Sequence, residues 1–185
     1  MIIIGVSGTN AAGKDTVAAY FVKKGFVYHS LSDVIRDFCR KNNWLISREK
    51  MIEAGNFLRE KYGCGYLAAE TLAAINRNRE KKSLAVSIRH PDEVRELRKN
   101  HQFKMIFVDA PLKLRFSRSQ KRQGRPEDKD SFAEFKKHDE LERRGNDSGQ
   151  QLDKIKKLSD IIIINDGTIQ EFEQKIEKFY QTIMG

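Results

Sequence analysis

Ile2-Ile3-Ile4-Gly5-Val6-Ser7-Gly8-Thr9-Asn10-Ala11-Ala12-Gly13-Lys14-Asp15-Thr16 decides the fold. The first five residues are a short β-branched apolar run, the pattern of a buried strand. Gly8 and Gly13 bracket a loop with the spacing Gly-x4-Gly-Lys, and a helical pattern with Val17, Ala18, Phe21 and Val22 on one face follows. Strand, glycine loop and helix in that order make a phosphate cradle. The glycines let successive backbone N–H groups turn inward, the helix N-terminus adds partial positive charge, and the Lys14 ammonium bridges phosphate oxygens. Gly8, Thr9, Asn10, Ala11, Ala12, Gly13, Lys14, Asp15 and Thr16 are therefore the candidate nucleotide-phosphate site. Asp15 stands where the common motif has a Ser or Thr that ligates Mg²⁺. Asp15 and Thr16 are the candidate metal-side residues, with Asp15 read either as a cation ligand or as a charge favourable to the helix N-terminus.

Further along, apolar runs alternate with helical periodicity. Phe26–Tyr28, Leu84–Ile88, Met105–Val108 and Ile161–Ile164 read as strands. Helices are predicted over about 32–41, 48–62, 66–81, 92–99, 112–123, 132–143 and 169–184. Ser47 is a plausible N-cap, and Phe172, Ile176, Phe179, Tyr180 and Ile183 give the last helix one apolar face. Continuously apolar strands belong to parallel sheets covered on both faces, so the expected fold is α/β: a five-stranded parallel sheet between helical layers, in one domain over 1–185.

The chain has 185 residues, 35 Lys+Arg against 26 Asp+Glu, and a formal charge of +9. Such a length buries a core without disulfides or metal, which excludes a disulfide-stapled miniprotein and argues against wholesale disorder. Ile161–Ile164, the longest aliphatic run, is far short of the ~18 apolar residues a membrane span needs. No basic region precedes the apolar run at Ile2, so it does not read as a signal peptide. Cys39 and Cys64 lack a Cys-x-x-Cys arrangement and read as free thiols of a reducing compartment, and the expected location is cytoplasmic. His29, His90, His101 and His138 form no ligand-spaced pair, so no structural zinc site is predicted. The basic excess suits a polyphosphate ligand or nucleic acid, and equally a solvated lysine-rich surface.

With the loop placed, the chain resembles the P-loop nucleotide kinases: nucleoside and deoxynucleoside monophosphate kinases and dephospho-CoA kinases. Gly13-Lys14-Asp15-Thr16-Val17-Ala18 looks like a subgroup that includes phage deoxynucleotide kinases. Asp160-Ile161-Ile162-Ile163-Ile164-Asn165-Asp166-Gly167-Thr168 looks like the final strand and turn of dephospho-CoA kinases. The resemblance implies ATP as donor with Mg²⁺, a small nucleotide acceptor, an acceptor-binding helical segment over about 32–80 and an arginine-bearing lid over about 112–147. It places Asn165 and Gly167 near the adenine of ATP. A plain strand-to-helix turn with Thr168 as N-cap accounts for the same residues.

Ligands of open parallel sheets sit at the carboxyl ends of strands. Asp33 follows the second strand, Arg36 is one helical turn beyond it, and Arg89 follows the third strand. Arg59 lies in the segment that would cover the acceptor. Arginines suit a phosphate because guanidinium binds it bidentately. Asp33 serves as general base if the acceptor is a ribose hydroxyl, or orients an arginine or Mg²⁺-bound water if it is a phosphate; a helix N-terminal carboxylate is the structural alternative. Residues 112–125 carry six basic side chains and no acidic one. Arg118, Arg122 and Arg125 are the candidate lid residues that the resemblance places around the transferring phosphoryl group. Asp109, which ends the fourth strand, is read as holding the phosphate loop or the lid helix.

The expected activity is phosphoryl transfer from ATP to a nucleoside or deoxynucleoside monophosphate. A dephospho-CoA kinase is the alternative. A nucleotide-binding protein with a macromolecular partner is the second.

Overall fold

The computed structural model describes residues 1–122, 130–145 and 147–184. Their order is β1 (Ile2–Gly8), α1 (Lys14–Lys23), β2 (Val27–Ser30), α2 (Leu31–Lys41), α3 (Arg48–Tyr62), α4 (Tyr66–Arg77) and β3 (Lys82–Val86). Then come α5 (Pro91–Leu97), β4 (Phe103–Asp109), α6 (Leu112–Lys121), α7 (Phe132–Arg143), α8 (Leu152–Leu158), β5 (Ile161–Ile164) and α9 (Ile169–Met184). The strands form one parallel sheet in the order β2-β3-β1-β4-β5. The expected α/β architecture is thus observed.

The continuous apolar runs have a direct structural cause. Alternate residues of a strand face opposite sides of the sheet. Ile3, Ala85, Met105 and Phe107 pack with α2 to α5 and α8 on one side. Ile4, Val6, Leu84, Val86, Ile106 and Val108 pack with α1 and α9 on the other. Both faces of the three central strands are buried, so both sets of residues must be apolar. β5 pairs only with β4, and its Ile162 and Ile164 remain partly exposed, as an edge strand permits.

Several elements are longer, shorter or shifted relative to the periodicity. β2 starts one residue later than predicted and runs to Ser30, and β3 stops at Val86 rather than Ile88. Ser87 there adopts a left-handed φ of 64°, which ends the extended run and turns the chain toward α5. α8 carries too few residues to show a period on its own and is anchored by the buried Leu152 and Ile155. Ser47 caps α3 through Lys50 N, and Thr168 caps α9 in a reciprocal pair with Glu171.

No described helix is long and apolar enough to cross a membrane.

Candidate active site

β1 ends at Gly8, and α1 begins at Lys14, so the intervening loop sits at the carboxyl edge of the sheet beside β4. Gly8 is required there. A Cβ on it would lie 2.1 Å from the Val108 carbonyl oxygen, a backbone atom that cannot move aside. Gly13 has φ 106°, and a Cβ would meet the Asn165 amide at 2.5 Å. Lys14 Nζ curls back over the loop and donates to the carbonyls of Gly8 (2.9 Å) and Thr9 (2.6 Å). Asp15 is exposed in the first turn of α1, next to the half-buried Thr16.

The acceptor side expected from the sequence is only partly assembled. Asp33 and Arg36 share a face of α2 and form an ion pair at 2.5 Å, both well exposed. Tyr28 on β2 joins them: partial burial, then the negative charges of Asp33 and Asp15, push its phenol above the ordinary value. An edge-strand tyrosine carries no motif, so nothing in the sequence marks Tyr28 as part of this group.

Arg89 donates from NH1 to Gln150 Oε1 at 2.8 Å. Arg59, expected on the acceptor side, is placed in the interior against Glu93. Its side chain is 6% exposed, and its Nε and NH2 both donate to Glu93 Oε1, at 3.2 and 3.0 Å. Glu93, 0% exposed, also accepts from the backbone N–H groups of Arg89 and His90 at Oε2, at 2.7 and 3.0 Å. Arg59 is the internal counter-charge of the carboxylate that fixes the turn carrying Arg89.

The basic stretch after β4 also divides differently. Arg115, unmarked by the sequence reading, is the buried member, 1% exposed, and it grips Asp139 of α7 bidentately at 2.7 and 3.0 Å. Arg118, one turn on, donates to the carbonyl and the side-chain oxygen of Asn165, at 3.1 and 3.2 Å. Asn165 Nδ2 in turn donates to the Ala12 carbonyl at 2.9 Å. Arg118, expected in the lid, therefore braces the end of β5 against the phosphate loop. Arg122 is the C-cap of α6, and Arg125 lies outside the described residues. Gly167 sits in the turn that Thr168 and Glu171 close.

Asp109 holds the phosphate loop, as one of its two readings proposed. Its Oδ1 accepts from Thr9 Oγ1 at 2.8 Å and its Oδ2 from Lys156 Nζ at 2.8 Å. Burial raises its pKa, but the bonds from Lys156 and Thr9 outweigh that and hold the carboxyl below the ordinary 3.8. Arg143 bridges Asp139 (2.9 Å), Asp153 (3.0 Å) and Asp109 (3.5 Å). Three carboxylates and the three cations Arg115, Arg143 and Lys156 thus neutralise one another among β4, α6, α7 and α8. Neither Arg115 nor Arg143 stood out in the sequence. Arg115 meets Asp139 across 24 residues; Arg143 meets Asp139 one turn back on α7, but Asp153 and Asp109 only through the fold.

The segment after α7 is stitched to the wall beyond β3. Gln151 N donates to the Arg89 carbonyl at 2.9 Å, Ser148 Oγ to Glu60 at 3.2 Å, and the His90 ring meets the Asp147 carbonyl at 2.9 Å. Cys64, His90 and Asp92 bring ligand atoms within 4.8 Å of one another. Both His90 nitrogens are engaged, however, since Nδ1 accepts from Asp92 N at 3.2 Å to cap α5.

Burial holds the His90 pKa below the ordinary 6.5, against the pull of the Asp147 carbonyl, Asp92 and Glu93. The unfolded chain therefore takes up this proton at a higher pH than the folded one. The contribution to stability is complete above 6.5 and declines as pH falls below it. Stability is expected to fall between pH 7 and pH 5, by at most about 1.4 kcal/mol per pH unit, and the melting temperature to fall with it. His90→Asn, which keeps a capping acceptor, should flatten the slope in thermal unfolding followed by circular dichroism. An unchanged slope would remove His90 as its source.

An AAA domain family profile matches residues 4–165. The UPF0200 protein of Pyrococcus horikoshii is 30% identical, covering 99% of this chain and 98% of the relative. The chain belongs to the AAA domain family and to UPF0200. The UPF0200 protein of Methanothermobacter thermautotrophicus is 32% identical, covering 99% of this chain and 91% of its own. Two solved structures share the fold. Shikimate kinase from Bacteroides thetaiotaomicron has a TM-score of 0.63 at 13% identity, with 98% of each chain covered. Dephospho-CoA kinase from Campylobacter jejuni has a TM-score of 0.53 at 22% identity, covering 98% of this chain and 96% of that one. This UPF0200 chain thus has a P-loop nucleotide-kinase-like fold.

Proposed function

We propose that the protein transfers the γ-phosphoryl group of ATP to a small nucleotide, a nucleoside or deoxynucleoside monophosphate in the first instance. One observation carries the reading: the Lys14 loop and the exposed Asp33–Arg36 pair share the carboxyl edge of the sheet, with Arg89 at the end of the neighbouring strand. Backbone N–H groups of the loop and the α1 N-terminus bind the donor phosphates. Arg36 and Arg89 receive the acceptor phosphate. Its oxygen forms a bond to the γ-phosphorus as the bond to the β-γ bridging oxygen breaks, leaving ADP. The oxygen donors of Asp15 and Thr16 suit a hard divalent cation, and Mg²⁺ there would neutralise charge on the β- and γ-phosphates.

A second reading has its own support. With Arg59 committed to Glu93, the acceptor side has fewer guanidinium groups than a phosphate-binding site would use, and Asp33 is exposed. That suits a hydroxyl acceptor such as dephospho-CoA, with Asp33 taking the hydroxyl proton. The test is ADP release with MgATP across all nucleoside and deoxynucleoside monophosphates and dephospho-CoA. Turnover with one monophosphate supports the first reading, and turnover with dephospho-CoA alone supports the second. Silence across the panel overturns both and leaves a nucleotide-binding protein with a macromolecular partner.

A further inference from the structure

We propose that Lys156 is a positioning residue for the donor site, acting on Lys14 through Asp109 and Thr9. The inference rests on the reading that the glycine loop holds the donor phosphates, and it extends that reading to a helix with no recognised motif.

The relay is a continuous line of short contacts. Lys156 Nζ donates to Asp109 Oδ2 at 2.8 Å. Asp109 Oδ1 accepts from Thr9 Oγ1 at 2.8 Å. The Thr9 carbonyl accepts from Lys14 Nζ at 2.6 Å and from Ala12 N at 3.3 Å, while Thr9 N donates to the Val108 carbonyl at 3.2 Å. Thr9 is fully buried, and so has no water to replace a lost partner. Its orientation therefore sets where Lys14 is anchored.

The position of Lys156 determines which oxygen of Asp109 is used for what. Arg143 NH2 at 3.5 Å and Arg115 Nε at 4.0 Å both lie on the Oδ1 side, the oxygen that Thr9 holds. Among the described residues, Lys156 is the partner at Oδ2. Without it, the two guanidinium groups draw the carboxylate toward themselves, and Thr9 has to compete for Oδ1. Asp109 keeps cationic neighbours in that case, so the fold survives while the loop loses its register. Lys156 is itself one-third exposed and does not form part of the apolar core.

The experiment is titration calorimetry of MgADP into the full chain, comparing wild type with Lys156→Met, Lys156→Arg, Thr9→Val and the double variant Thr9→Val/Lys156→Met. Lys156→Met and Thr9→Val are each expected to weaken binding about tenfold, the scale of one hydrogen bond to a charged group. Lys156→Arg restores affinity to within about threefold. The double variant is no weaker than the worse single one by more than about twofold, because both cut the same line. The Lys156→Met melting temperature stays within about 2 °C of wild type, below the shift a 1 kcal/mol loss gives.

Binding by Lys156→Met within about twofold of wild type overturns the relay, as do losses that multiply in the double variant. Failure of the wild type to bind MgADP overturns the donor-site reading itself, and the relay with it.

Discussion

Lys14→Ala is expected to reduce acceptor-dependent ADP release by about a thousandfold, the upper range for removing one preorganised donor from a transition state. The ammonium is held in place by the carbonyls of Gly8 and Thr9, so its position is set before substrate arrives. As negative charge moves onto the β-γ bridging oxygen, a fixed ammonium gains more than it did in the ground state. The rate should therefore fall further than MgADP affinity does. Lys14→Arg should not rescue, because a planar guanidinium cannot occupy the same place between two loop carbonyls. The check is coupled ADP release with the best acceptor, with binding measured in parallel. A variant retaining more than about a tenth of wild-type turnover would mean that the glycine loop is not the reaction centre.

Glu93→Ala should be the most destabilising single substitution in the wall beyond β3. It strands the buried Arg59 guanidinium and removes the acceptor of two backbone N–H groups, those of Arg89 and His90. Breaking a buried pair from one side costs about 3–5 kcal/mol. That is a large part of the ~5–15 kcal/mol that holds a domain together. The melting temperature should fall by about 10 °C for a chain this size. Glu93→Gln should lie between, since its one carbonyl oxygen serves either Arg59 or the backbone pair. Differential scanning calorimetry decides it, and a Glu93→Ala midpoint within about 3 °C of wild type would show that the pair carries little of the stability.

The glycine loop was legible because its chemistry is local: spacing, glycines and lysine lie within nine residues, Gly8–Thr16, and the neighbouring strand and helix show their own periods. The central sheet was legible because burial on both faces forces unbroken apolar runs. Side-chain roles across the groove were not. Arg89 has a strand end to mark it in sequence, whereas Arg59 has only its helical segment, and nothing local tells of the buried glutamate on α5 that takes it up. Arg115 and Arg118 look like neighbours on a basic helix. One is sealed against Asp139 and the other braces Asn165, a distinction made by α7 and β5 rather than by α6. Long-range pairing of charges has no period and no spacing, so it leaves no local trace.

α7 is held unevenly along its length. Asp139 ties its middle to α6, Arg143 ties its end to α8, and the segment that follows is bonded to Arg89, His90 and Glu60. Twelve helical residues span about 18 Å. Both charged ties are at Asp139 and Arg143, one turn or about 6 Å apart. The first half of α7 rests instead on rings, Phe132 and Phe135 against Phe116. The helix is like a plank bolted at one end and padded at the other.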